Sequence, residues 1–276
     1  MKKLLLPILL FGAAFITNAQ SDSTQSGKPQ FKLGINYNSN LNYYGRTDSL
    51  QSSGVFPLAE LWITPRFYVN VAPIFVNNKI QSLDYAGTVA TMGYQTMTDK
   101  WLSNLYVLKP FYLQSSQLVQ SALKAQTGVS VSRLNKLINV TLGGDLKFSD
   151  KIDFGATGGL DHIIRIENKD NSIIVMNPSA YAYAGTQQFS KTYTRIKSEF
   201  LLFPGNSEPV TQNVSKFNIL AYEFSMPIIF VKGKIQVAAT PSYILPQSLI
   251  TIANRPDLSE KGENTFYTTL GVKYNF

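Results

Sequence analysis

The sequence predicts an all-β fold: an antiparallel, up-and-down β-barrel that crosses a membrane with about 12 strands, with ten or eight as the alternatives. Three observations carry this expectation. Segment after segment alternates apolar with small or polar residues in steps of two, as a strand with two unlike faces requires. The apolar face carries Phe, Tyr, Leu, Ile and Val, while the other carries Gly, Asn, Thr, Ser and Ala with scattered charges. Charged residues make up 15% of the chain, against the ~25% usual for soluble domains, whose water-facing exterior needs more Lys and Glu.

Met1-Lys2-Lys3, the apolar residues 4–16 and Thr17-Asn18-Ala19 before Gln20 have the order of a secretory signal peptide, read as residues 1–19. The apolar run is too short for the roughly 20 residues of a spanning helix. Residues 20–30 are polar and read as a flexible leader, and residues 31–276 as one barrel domain. Strands are expected at 31–38, 55–63, 67–76, 138–148, 152–161, from 173 to about 186, at 220–230, 235–245 and 265–276, with further strands in 101–132 and at 193–203. Pro57 and Pro73 are awkward in a ladder because proline has no N–H, and mark bulges or strand ends. Residues 115–126 place Leu118, Ala122 and Ala125 at a helical period, which predicts a short helix at a rim or inside the barrel. Residues 64–66, 149–151 and 232–234 are short connections; 40–53, 204–215 and 246–264 are long ones. In outer-membrane barrels the short turns face the periplasm and the long loops the exterior. Aromatic residues at strand ends, Phe31, Trp62, Phe67, Phe148, Phe230, Tyr243, Phe266 and Phe276, are candidates for the interfacial girdles.

In the last strand Phe266, Thr268, Leu270, Val272, Tyr274 and Phe276 share one face, and Tyr267, Thr269, Gly271, Lys273 and Asn275 the other. It has the length of one membrane-crossing strand, about 9–11 residues. It resembles the final strand of Gram-negative outer-membrane β-barrels, in which a terminal Phe on an alternating strand is an assembly signal. The resemblance implies an outer-membrane location, contact with outer-membrane lipid and lipopolysaccharide, and passage through periplasmic chaperones and the barrel-assembly machinery. Leu270, Val272, Tyr274 and Phe276 would be the signal residues. Closure of such a barrel requires this strand to pair with residues 31–38.

Composition excludes much chemistry. The chain has no Cys and one His, which removes disulfides, Cys-ligated metals and a His-cluster metal site. Its net charge is +8; Lys2 and Lys3 account for two of those charges, and the rest is spread without a dense basic block, so no nucleic-acid footprint is present. Lys32, Glu60, Asp145, Lys147, Asp153, Asp161, Glu223 and Lys273 fall on polar faces and are expected to point into the lumen. There they form either an internal ion-pair network or a charged constriction. His162 is the one default general base, beside Asp161 near the outer end of a strand. Lipid-modifying barrels place a Ser at short fixed spacing from such a His, whereas here Ile163 and Ile164 follow it and Ser172 is the nearest downstream Ser. The expected function is therefore a passive pore or a structural and interaction barrel, with no cofactor. A partner in an envelope complex, a lipid-modifying enzyme using His162 and a soluble periplasmic lipocalin-like barrel are the alternatives.

Overall fold

A computed structural model describes residues 28–47, 52–80, 82–113, 123–187, 216–249 and 262–276. The wall is a closed antiparallel barrel of 12 strands. They are β1 Gln30–Asn38, β2 Ser53–Trp62, β3 Phe67–Asn77, β4 Asp84–Met97, β5 Trp101–Tyr112, β6 Ala125–Arg133 and β7 Asn139–Phe148. Then come β8 (Ile152–Asp161 continued by Ile164–Glu167), β9 (Ser172–Met176 continued by Ser179–Gly185) and β10 (Asn218–Ser225 continued by Ile228–Lys232). β11 is Ile235–Pro246 and β12 is Thr265–Asn275. Each strand pairs with the next in sequence, and β12 pairs with β1 from Lys32↔Asn275 to Asn38↔Thr269. The two ends of the wall are thus direct neighbours, and the Phe276 N–H donates to the Phe31 carbonyl at 2.9 Å. Closure leaves no sheet edge, so every wall N–H and C=O can be satisfied within lipid.

The faces follow the alternation. On β1, Phe31, Leu33, Ile35 and Tyr37 are exposed while Lys32 and Asn38 are buried; on β12, Phe266, Leu270, Val272, Tyr274 and Phe276 are exposed while Tyr267 and Lys273 are buried. The inside-out pattern repeats around the wall, with Leu105, Val129, Leu142, Phe154 and Phe224 all outward. A soluble lipocalin-like barrel would turn this apolar face inward, so that alternative is ruled out. Leu142 is 67% exposed at the middle of β7. Leu142→Arg is expected to destabilise the barrel in lipid vesicles by about 2–4 kcal/mol, because it puts a charge at the depth of the hydrocarbon. An unchanged urea midpoint would remove the lipid-facing assignment.

Both chain ends share one rim with the turns at 63–66, 98–100, 134–138, 168–171 and 233–234. At the opposite rim lie the strand exits and entries at 39–40, 52, 78–80, 82–83, 113, 123–124, 149–151, 186–187, 216–217, 247–249 and 262–264. Residues 149–151 therefore sit on the long-loop rim, contrary to the sequence expectation. The cause is a strand missing from that expectation, β4, whose presence shifts the parity of β7 and β8. β4 is obscured by a bulge: Ile74 pairs with Gly87 but Phe75 with Tyr85, leaving Ala86 as the extra residue. Tyr85 and Thr88 both face outward across it, which breaks the period of two. The expected strand at 193–203 lies outside the described residues, and β9 pairs directly with β10. The expected helix at 115–126 lies mostly outside them too; its last residues, Ala125 and Gln126, begin β6.

Proline shapes the wall without ending strands at Pro57 and Pro73. The β2–β3 ladder is intact at Val55↔Phe75 and Ala59↔Val71 and interrupted between them, where the two prolines lie across from each other. A second irregularity crosses β8, β9 and β10 at one level. There His162 N–H donates to Pro178 O (3.1 Å), Asn177 N–H to Pro227 O (2.9 Å) and Met226 N–H to Pro241 O (3.0 Å).

Candidate functional site: a lumen closed by its own hairpin

The connection after β1 does not stay outside. Residues 41–47 fold back into the barrel as a hairpin, with Asn42–Tyr43 paired to Arg46–Thr47. Its turn has positive φ at both central residues, Tyr44 (51°) and Gly45 (75°), the mirror-image turn that tight hairpins require. The Asn42 side chain accepts from Gly45 N–H at 3.0 Å and helps fix it. Leu41, Tyr43 and Tyr44 are buried in one apolar cluster with Phe56, Ile74, Val76, Val89, Tyr106, Leu108, Leu220, Ile244 and Tyr267, drawn from β2, β3, β4, β5, β10, β11 and β12. The lumen is thus filled across its long-loop half. From the sequence, residues 40–53 are expected as an external loop and only the segment 115–126 as a candidate for the barrel interior. The available signal was Leu41, Tyr43 and Tyr44 in an otherwise polar stretch. It also explains why β2 and β3 are apolar on both faces at that end: one face meets lipid and the other meets the plug.

Arg46 holds the hairpin to the wall. Its guanidinium donates to Tyr44 O (3.1 Å), Leu220 O (3.1 Å), Gln247 O (3.0 Å), Ser248 O (3.4 Å) and Gln187 Oε1 (3.1 Å). These acceptors span the hairpin, β10 and the exits of β9 and β11. A planar fork of donors suits several fixed carbonyls at once.

The eight charged positions singled out in the sequence all face the interior. Glu60 lies between two lysines, Lys32 Nζ at 3.4 Å and Lys273 Nζ at 3.4 Å, and accepts from Trp62 Nε1 at 2.8 Å. Lys32 also stands 5.1 Å from the Trp62 ring centroid. Trp62 is buried and supports this cluster, so it is not a girdle residue. Lys147 pairs with Asp145 and lies 5.7 Å from the Tyr44 ring, linking the wall to the plug. Asp153, across the ladder from Lys147, accepts from Thr186 Oγ1 at 2.5 Å. Asp161 accepts from Asn139 Nδ2 at 2.8 Å and Tyr181 OH at 3.4 Å, and Glu223 from Tyr267 OH at 2.7 Å.

Below the hairpin a cavity of about 390 Å³ remains; its mostly apolar lining, with Leu58, Leu102, Val175 and Ile229, also carries Asn, Gln, Ser, Thr and Tyr side chains and the charged Asp145, Asp161, Arg165, Glu223 and Lys273. Its lining reaches Met97, Leu134 and Pro227 near the short turns. Three inward tyrosines are held against the wall over a glycine of the adjacent strand: Tyr68 over Gly93, Tyr106 over Gly128 and Tyr181 over Gly159. A Cβ at Gly159 would come within 2.1 Å of the Tyr181 ring. Gly159→Ala should therefore swing Tyr181 into the cavity and break its bond to Asp161, with a loss of about 1–3 kcal/mol in unfolding free energy typical of overpacking. The outcome is read as a lower urea midpoint, restored by the double change with Tyr181→Ala. Failure of that rescue would show that the ring contact is not the cause.

His162 sits in the break of β8, on the short-turn side of that strand's middle, not at the outer rim. Asp161, Ile163 and Arg165 line the cavity and His162 does not. Ser172 is committed elsewhere, donating to Asp170 Oδ1 at 2.6 Å and accepting from Asn168 Nδ2 at 3.0 Å in the β8–β9 turn. The structure does not bring Ser172 and His162 into one site. Among the described residues no group of three or more His, Cys, Asp or Glu could hold a metal ion.

No family model matches the chain, and no curated protein matches it. Solved structures with a similar form include the KdgM porin, alike over 89% of this chain and 99% of its own at 8% identity and a TM-score of 0.49. The NanC porin is alike over 88% and 98% at 12% identity and a TM-score of 0.44. LpxR from Salmonella typhimurium is alike over 88% and 99% at 8% identity and a TM-score of 0.40. The fold is that of an outer-membrane β-barrel. That assignment stands on this chain's own closed, even-numbered wall and its outward apolar band.

Proposed function

We propose that the chain is a passive outer-membrane pore held in a low-conductance state by the 41–47 hairpin. One observation carries this reading: a cavity with polar and charged groups set into its lining continues the lumen from the short-turn side and ends against a folded, inward loop of the same chain. Residues 1–19 would export it as a signal peptide, and the alternating β12 ending in Phe276 would engage the assembly machinery. The short turns then face the periplasm, and the outward band meets phospholipid and lipopolysaccharide. The reading is non-enzymatic; the position of His162 outside the cavity lining and the turn contacts of Ser172 support it. A purely structural barrel is the second reading, favoured by the apolar packing around the hairpin.

Planar-bilayer recording separates the two. The full chain should show small, infrequent openings. A variant with residues 40–50 replaced by a short Asn-Gly turn should conduct steadily. If that variant shows the heat-modifiable gel mobility of a folded barrel and still does not conduct, the pore reading fails and the structural one stands.

A further inference from the structure

Charge is not balanced evenly around the lumen. The two cations that line the cavity are already engaged: Lys273 by Glu60 at 3.4 Å and Arg165 by Glu167 at 2.7 Å. Asp161 and Glu223 line the same cavity from β8 and β10, and neither forms an ion pair; the partners of both are neutral amides and hydroxyls. Glu223 is only 5% exposed, and its Oε2 is buried without a hydrogen bond, although Tyr183 and Ser242 stand beside it. Tyr181 lies between the two carboxylates, paired across the ladder with Glu223 and bonded to Asp161. Its ring is stacked with that of Tyr183, with centroids 6.3 Å apart and planes 16° apart, and both tyrosines line the cavity.

A buried carboxylate oxygen with no donor is costly. Two carboxylates beside aromatic faces make a low-energy seat for a positive charge with an apolar shell, through Coulomb attraction and cation–π contact together. The described residues offer no metal-ligand cluster, and a volume of about 390 Å³ suits a small molecule. From this we propose that the β8–β10 wall binds a small organic cation, an ammonium-bearing solute entering from the short-turn end. Binding in a cavity blind at the hairpin needs no conduction, so a non-conducting barrel leaves this inference intact.

The test is calorimetric titration of the folded full chain in detergent micelles with choline and with 3,3-dimethyl-1-butanol, its neutral isostere. Choline should bind saturably and at least about tenfold more tightly than the isostere. Asp161→Asn and Glu223→Gln should each weaken choline about tenfold and leave the isostere unchanged. Should either variant fail to fold, the choline-to-isostere ratio of the unaltered chain decides alone. Equal binding of the two compounds, no saturable binding of choline, or unchanged choline affinity in folded variants would each overturn the proposal.

Discussion

Glu60→Gln is expected to cause the largest loss of stability of any single lumenal change, about 3–5 kcal/mol, the range seen when one partner of a buried ionic group is removed. Glu60 is the shared counter-ion of Lys32 and Lys273, each 3.4 Å away. All three side chains are at most 10% exposed. Neutralising the carboxylate leaves two ammonium groups facing each other across the β12–β1–β2 seam, with attraction replaced by repulsion. The seam is also where the barrel closes, so the strain falls on the pairing between first and last strands. Urea unfolding in lipid vesicles should show a lowered midpoint. Adding Lys32→Met and Lys273→Met to Glu60→Gln should recover most of the loss, because the trio then holds no uncompensated charge and the new amide oxygen at position 60 can still accept from Trp62. A single-variant loss under about 0.5 kcal/mol would mean that lumenal water screens the trio as it screens a surface pair. In that case the cluster is not a structural clamp.

The wall was legible wherever one face met lipid and the other met polar lumen. β1, β7 and β12 show this plainly, since their burial follows the residue alternation with Lys32, Asn139 and Lys273 inside and Leu33, Leu142 and Val272 outside. The pairing of β12 with residues 31–38 followed from the same logic. β4 was not legible, because the Ala86 bulge resets its phase and its outward positions include Thr88 and Ala90. The expected total of twelve nevertheless agrees with the structure. The omitted β4 was offset by the strand expected at 193–203, so the exchange shows only between them: the connections at 134–138, 149–151 and 168–171 changed rims, and His162 moved away from the outer one. The hairpin was hidden for a different reason. What makes residues 41–47 a plug is contact with Leu220, Gln247 and Tyr106, far away in sequence. Local polarity and loop length, the signals available for that stretch, point to solvent. Trp62 was misplaced for a simpler reason: an aromatic at a strand end suits a girdle, but two residues from the inward Glu60 it shares the lumenal face of β2.

Arg46→Ala is expected to raise the open probability of the barrel by about 30-fold in planar-bilayer recording. Removal of charge-assisted hydrogen bonds costs on the order of 2 kcal/mol, and that difference shifts a two-state equilibrium by this factor. The freed acceptors, Leu220 O, Gln247 O and Ser248 O, can be met by water once the hairpin leaves, so the loss falls on the closed state more than on the wall. Stability to urea should then change little while gating changes strongly, which a general loosening of the barrel would not produce. Gly45→Ala attacks the same state by another route. Its φ of 75° disfavours any side chain, and a Cβ there would lie 2.8 Å from Pro246 Cδ. Both variants should approach the steady conductance of the barrel with residues 40–50 replaced. If that barrel conducts while Arg46→Ala and Gly45→Ala remain closed, the hairpin is retained by its apolar face, Leu41, Tyr43 and Tyr44, and Arg46 is not the latch.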